Sequence, residues 1–276
     1  MDLTFSAEEE AFRAEVRAFI ASDMPADLAR KAERGEYFEH GEVMRWHKIL
    51  NAKGWAAPHW PKAFGGSELD ATRRFILSEE LALAGAPGLS PFGLMMVGPL
   101  IMRFGTPAQQ KQHLPGILSG DVAWCQGYSE PGAGSDLASL QTRAEDKGGH
   151  FLVNGSKIWT SGADHADWIF CLVRTNREAP KHEGISFLLF SMDSPGVSTQ
   201  PVALLNGRSP FCQTFFEDVK VPKRDLVYRV DQGWTVAKRL LQHERSGLAA
   251  LASADTAGPM ERIKPSRSLP ALARHY

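Results

Sequence analysis

Two periodicities share this chain, and the change from one to the other near residue 120 constrains the fold most. Before that point apolar residues recur at helical spacing, and no alternating stretch competes with them. After Asp121, short segments rich in Val, Ile, Phe, Thr and Trp alternate with turn residues: Phe151–Val153, Lys157–Trp159, Trp168–Thr175, Ile185–Met192 and Gln213–Val221. Strands that follow one another without helices between them build an antiparallel sandwich or barrel. A helical pattern returns from about Gln232 to Ser253. The expected class is therefore α+β, with an N-terminal all-α helical domain over residues 1–120 and a central antiparallel β-sandwich or barrel over 121–225. The start of a C-terminal helical bundle follows over 226–253, then an irregular tail over 254–276 that carries three prolines.

Local signals place the first helices. Ser6 and Glu9 form a capping box, and Phe12, Val16, Phe19 and Ile20 follow on one face until Pro25. Val43, Trp46, Ile49 and Leu50 repeat the pattern up to Gly54, and further helices are predicted around Asp70–Ala84, Phe92–Phe104 and Pro107–Leu114. Within the β region Asn154-Gly155 predicts a hairpin turn, because both residues tolerate positive φ.

Charge removes several function classes. The 276 residues carry 31 basic and 32 acidic side chains, a balance with no general attraction for nucleic acid or an anionic membrane. The longest apolar stretch, Pro91 to Met102, falls well below the roughly 20 residues of a membrane-spanning helix. Cys125, Cys171 and Cys212 are too few, odd in number and widely spaced for a secreted disulfide framework. With an acidic N-terminus unlike a signal peptide, a reducing, cytoplasmic location is expected. His40 and His47 stand seven apart without a carboxylate cluster, so no metal site is expected there, and His113, His150 and His165 read as surface or loop residues.

Two segments carry chemistry. Trp124 to Asp136 reads WCQGYSEPGAGSD, and its Gly-x-Gly-Ser core lets backbone amides approach a phosphate. It is neither a GxGxxG turn nor a P-loop, and the plainer reading is a capped turn between strands. Asn154 to Ala163 reads NGSKIWTSGA, an aromatic beside two hydroxyls. Trp159 is either core or a face for a flat heterocycle whose edge Ser161 would hydrogen-bond.

Taken together, YSEPGAGSD at 128–136 and NGSKIWTS at 154–161 closely resemble the acyl-CoA dehydrogenase family. Gly54-Trp55-Ala56-Ala57-Pro58, Trp60-Pro61 and Gly65-Gly66 are similar to its N-terminal helical domain. Asp218-Val219-Lys220-Val221-Pro222 and Gly233-Trp234 resemble the end of its β domain and the entry to its C-terminal bundle. The resemblance spans roughly residues 2–250 and implies FAD as cofactor, an acyl-CoA thioester as substrate and α,β-dehydrogenation as the reaction. It further implies an electron-transferring flavoprotein as acceptor and a homo- or hetero-oligomer. Gln126, Gly127, Tyr128, Ser129, Gly134 and Ser135, with Trp159, Thr160 and Ser161, would line the flavin. Ser129 would bond its N5 edge, Trp159 would pack on the rings, and Ser135 would be shared by the FAD pyrophosphate and the acyl-CoA. Gln126 stands where family members often carry an aromatic, and Ser161 where they often carry Thr.

The usual catalytic Glu of the family lies near the end of a bundle that this sequence does not contain. A minority of members carries the base on the first bundle helix, immediately before an Arg, and Glu244-Arg245 falls on that position. At about 100° per residue Trp234, Ala237, Leu240, Leu241, Leu248 and Leu251 form one apolar face that includes Glu244. Burial there would raise its pKa toward that of a useful base, although an ion-paired structural role fits the same position. The tail from Ala254 does not resemble the family, as expected of a shortened or frame-disrupted product. A non-catalytic partner subunit, or another flavin oxidoreductase of the same fold, are the alternative functions.

Overall fold

The structure is a computed structural model that describes residues 4–205 and 207–241. Two compact units form, one up to Leu89 and the other from Ser90.

The first unit is helical. α1 (Ala7–Asp23) starts on the predicted capping box, where the Glu9 amide donates to Ser6 Oγ at 3.3 Å and the Ser6 amide to Glu9 Oε2 at 2.7 Å. Pro25 ends that pattern but also opens α2 (Ala26–Arg34), a helix the sequence reading passed over. A proline before the first turn gives up no intrahelical bond. α3 (His40–Ala52) and α4 (Ala71–Leu83) complete the unit. Val16, Phe19, Leu28, Trp46, Leu50, Trp55 and Leu77 fill its core. α1 and α4 are stitched by Arg13 and Arg17, which both reach the buried Glu80.

The second unit opens with a π-helical turn (Phe92–Val97) running into α5 (Gly98–Phe104), where the sequence predicted one uniform helix. α6 (Pro107–Ser119) follows, capped by Thr106 and Gln109. His113 on α6 is buried between Trp124 and Trp168, ring centroids 5.2 and 4.6 Å away, and not on the surface as expected. Burial without a charged partner lowers its pKa to about 4.

An eight-stranded sheet then forms from β1 (Trp124–Gly127), β2 (Arg143–Asp146), β3 (His150–Ser161), β4 (Trp168–Arg174), β5 (Ile185–Ser191), β6 (Val197–Val202), β7 (Phe211–Pro222) and β8 (Leu226–Val227). The order is β6-β7-β3-β2-β4-β5-β8, with β1 pairing β4. All neighbours are antiparallel except β1–β4 and the single bridge of β2 with β4. No strand precedes Trp124 among the described residues. Phe151, Val153, Cys171, Val173, Leu188, Phe190, Phe216 and Val221 lie in its core.

The hairpin predicted at Asn154-Gly155 does not exist, because β3 runs straight through it. Opposite Asn154, β7 carries an extra residue, and Asp218 adopts φ 52°. The Asn154 side chain completes this bulge, donating to Asp218 Oδ1 at 2.9 Å and accepting from the Asp218 amide at 3.0 Å. Gly155, at φ 146°, lets Thr142 approach to where any Cβ would lie 2.7 Å from its Cα. The glycine serves a bulge and a close contact instead of a turn.

The helical pattern predicted from Gln232 is observed over residues 233–241, with Val236, Ala237 and Leu240 buried. Glu244 and the tail lie outside the described residues. Among the described residues no helix is long and apolar enough to cross a membrane.

Candidate functional site

The site is built where β1 and β3 lead their two motifs side by side. β1 sets Gln126 and Gly127 opposite Phe170 and Cys171 of β4 in parallel register. Gly127 is closely packed there, since a Cβ would lie 2.8 Å from Ile169 Cδ1 and that methyl would have to give way. Tyr128 is buried edge-on to Phe170 and Phe187, with centroids 6.0 and 6.4 Å apart. The Ile158 amide donates to the Ser129 carbonyl at 2.8 Å, which ties the first motif to β3.

A buried ion pair locks that junction. Lys157 is fully buried, and its Nζ donates to the Tyr128 carbonyl at 3.1 Å and to Glu130 Oε1 at 2.8 Å. Glu130 also accepts from the amides of Gln141 at 2.6 Å and Thr142 at 2.9 Å. Burial alone would push the Glu130 carboxyl up, but the Lys157 charge and these hydrogen bonds outweigh it and hold the pKa below the ordinary value. Neither residue has a role assigned by the motifs in which it stands. A signal was available: Lys157 falls in phase with Phe151 and Val153 on the buried face of β3, where an ammonium requires an acidic partner.

Trp159 stands out from this frame. Between the pairs Lys157–Thr214 and Thr160–Cys212, β3 carries two residues against one on β7, a bulge that turns the chain at Trp159 to φ 60°. Left-handed backbone is costly for an aromatic residue and concentrates at functional positions. The indole is 55% exposed between the fully buried Lys157 and Thr160, and Phe211 meets it edge-on at 5.9 Å. The core placement weighed for Trp159 is therefore incorrect, and its ring remains open to a flat partner. Ser161 and Ser129 are half-buried.

The 130–133 segment closes on itself, Glu130 and Ala133 exchanging both backbone hydrogen bonds at 3.0 Å. Beyond this turn Gly134 and Ser135 are exposed, and a Cβ at Gly134 would meet nothing within 4 Å. Asp136 next to them pairs with Lys181 at 2.9 Å. Open backbone beside exposed hydroxyls and an outward indole fits a nucleotide carrying a flat ring system. The three cysteines are buried and form no disulfide, and burial pushes the Cys171 thiol up to about 12. Tyr128 and Ser129 are tied to Lys157 and Ile158, just before Trp159, Thr160 and Ser161 on β3; Gln126 and Gly127 lie on β1, Gly134 and Ser135 lie past the turn, and Glu244 is outside the described residues.

A helical unit followed by a bulged, mostly antiparallel sheet defines the class, that of two-domain α+β chains. Sequence comparison makes it specific. The profile for the N-terminal domain of acyl-CoA dehydrogenase matches residues 6–121, and that for its middle domain matches 125–219. The chain is 40% identical over 241 residues to acyl-CoA dehydrogenase IpdE1 of Mycobacterium tuberculosis, covering 86% of this chain and 63% of the relative. A solved structure described as the Tcur3481–Tcur3483 steroid ACAD superposes with a TM-score of 0.81 at 40% identity, over 92% of this chain and 65% of that one. The ChsE4–ChsE5 complex of Mycobacterium tuberculosis gives a TM-score of 0.76 at 35% identity, over 88% and 61%. The chain belongs to the acyl-CoA dehydrogenase family, of which it carries the N-terminal and middle domains. It spans just under two thirds of the length of these relatives.

Proposed function

We propose that this chain takes part in FAD-dependent α,β-dehydrogenation of an acyl-CoA thioester. The observation that carries the reading is the outward, backbone-strained Trp159 beside the Ser129–Ser161 surface. It meets the need for a ring-packing aromatic flanked by hydroxyl donors. FAD, when bound, supplies the acceptor for the hydrogen and electron pair leaving the substrate's β-carbon. Trp159 packs against the ring system, and Ser129 and Ser161 donate to its polar edge. The exposed amides and hydroxyl at Gly134 and Ser135 hold phosphate oxygens. Lys157 and Glu130 touch neither ligand; they keep the two motifs in register. Glu244 is the carboxylate we assign to the α-proton, by its sequence position immediately before Arg245.

Relatives described as a steroid ACAD put polycyclic, steroid-derived thioesters first among the substrates to test. An electron-transferring flavoprotein is the proposed acceptor. A second reading has its own support: the ChsE4–ChsE5 relative is described as a two-component complex. On that reading this chain is one subunit of a hetero-oligomer whose partner completes the site.

The test is a spectrum of the purified protein, alone and with each candidate partner, before and after adding a panel of acyl-CoA thioesters under nitrogen. Bound flavin that bleaches with substrate supports the enzyme, and Glu244→Gln should abolish bleaching while leaving the flavin bound. Flavin that loads only with a second subunit supports the hetero-oligomer. Failure to bind flavin under any of these conditions defeats both readings.

A further inference from the structure

The chain enters its last described helix, residues 233–241, through a strained joint after β8. Tyr228 stands at φ 68° and Asp231 at φ 61°, both left-handed and neither a glycine. Such backbone is costly and persists only where the surroundings dictate it. At Asp231 they do so through a closed ring of three hydrogen bonds. The Asp231 amide donates to Ser186 Oγ at 2.9 Å, and the Thr175 hydroxyl donates to Asp231 Oδ1 at 2.5 Å. Ser186 Oγ and Thr175 Oγ1 lie 2.7 Å apart. A carboxylate only accepts, which commits the Thr175 proton to Asp231 and leaves Ser186 to donate to Thr175. Ser186 is fully buried on β5, and the next two residues are clamped to the same strand. Gln232 bridges Ile185, and a Cβ on Gly233 would fall 2.4 Å from the Ser186 carbonyl carbon and 2.7 Å from the Phe187 nitrogen. Val236, Ala237 and Leu240 then bury the helix, but apolar burial is non-directional and does not fix a tilt. The ring at Asp231 is directional.

We propose that Asp231 is a positioning residue for Glu244, an inference that rests on the assignment of Glu244 as the base. The helical pattern of the sequence runs on from Gly233 through Glu244. At 1.5 Å per residue that lever is about 16 Å long, and a tilt of about 4° at its origin moves the far end by about 1 Å. A displacement of that size at a reacting group costs about a hundredfold in rate. Asp231 touches neither the substrate nor the flavin; it acts through the direction it gives the helix. Aspartate suits the position because it tolerates left-handed backbone and supplies the acceptor that closes the ring. Asparagine shares both properties, and alanine has neither.

The experiment compares the unmodified chain with Asp231→Ala, Asp231→Asn and Glu244→Gln, in whichever form loads flavin, alone or with a partner subunit. Two quantities are read: hydrogen exchange over residues 233–241 by mass spectrometry, and the rate of flavin bleaching against thioester concentration under nitrogen. In Asp231→Ala, exchange over the helix should rise about tenfold, and the limiting bleaching rate should fall about tenfold to a hundredfold. The half-saturating thioester concentration should stay within about twofold, because the substrate contacts are untouched. Asp231→Asn should restore both quantities. Should Asp231→Ala fail to fold, as circular dichroism would show, Thr175→Val opens the same ring from its other side and carries the same expectations. Unchanged helix exchange overturns the proposal without recourse to flavin. So does a half-saturating concentration that rises in step with the lost rate, or an Asn variant as slow as the Ala one. If Glu244→Gln is inert while Asp231→Ala stays fast, the base stands and the positioning role alone fails. If Glu244→Gln bleaches normally, or no form binds flavin, the base assignment fails and the proposal falls with it.

Discussion

The helical unit and the β unit each bury a carboxylate next to a cation, and they compensate it differently. Glu80 in the helical unit is reached by Arg13 at 2.5 Å and by Arg17 at 2.8 and 2.9 Å, and Arg13 is in turn shared with Glu79. Arg17 is largely exposed, so this seam is redundant and open to water. Glu130 in the β unit has the single ammonium of Lys157, itself fully buried, and two backbone amides. The first arrangement joins two helices and tolerates loss of a member. The second ties β3 to the loop after β1, and among the described residues Lys157 is the one cation within ion-pairing distance of Glu130.

That contrast can be broken experimentally. The largest effect is expected for Lys157→Met, which leaves Glu130 buried and unpaired and should cost about 3–5 kcal/mol in urea unfolding. Arg17→Gln should shift the midpoint only slightly. Equal losses in the two variants would sink the comparison. Next, removing both charges together, with Glu130→Gln and Lys157→Met combined, should cost less than Lys157→Met alone, since no orphaned charge remains. A double variant less stable than the single one would contradict this.

Acid gives the third handle. The folded pKa of Glu130 lies below its ordinary 4.5, so its stabilisation is present above that value and is lost as pH falls through the depressed folded value. Glu130→Gln should therefore flatten the acid limb of the stability–pH curve, and an unchanged limb would argue against the pair. The smallest stability effect is expected at Trp159. Because its ring is exposed and its φ is unfavourable, Trp159→Gly should change unfolding free energy by no more than about 1 kcal/mol. On the proposed FAD reading, flavin affinity should nonetheless fall roughly tenfold, measured by fluorescence quenching.

Much of this was legible in the sequence, and the gaps have physical causes. The Ser6–Glu9 capping box, the change of periodicity and the paired motifs act locally, and local signals survive in one dimension. β1 and β2 went unread because each is four residues long, too short for alternation to register. Asn154-Gly155 misled because the same residues suit a hairpin and a bulge, and only the partner strand decides between them. His113 was placed outside because a lone histidine carries no mark of the two indoles that enclose it. The outward turn of Trp159 arises from a mismatch in residue count between β3 and β7, which no window along β3 can contain.

One contact has a consequence for synthesis. Gln109 on α6 is buried, and its amide donates to the carbonyls of Arg224 at 2.7 Å and Leu226 at 2.9 Å, 115 and 117 residues later. At about 5–20 residues per second, a ribosome needs on the order of ten seconds to make that intervening chain. Throughout that interval α6 has left the exit tunnel without the backbone it will finally clasp. Until then water, not the chain, satisfies the Gln109 amide donors, so this clasp closes only after the last strands are made.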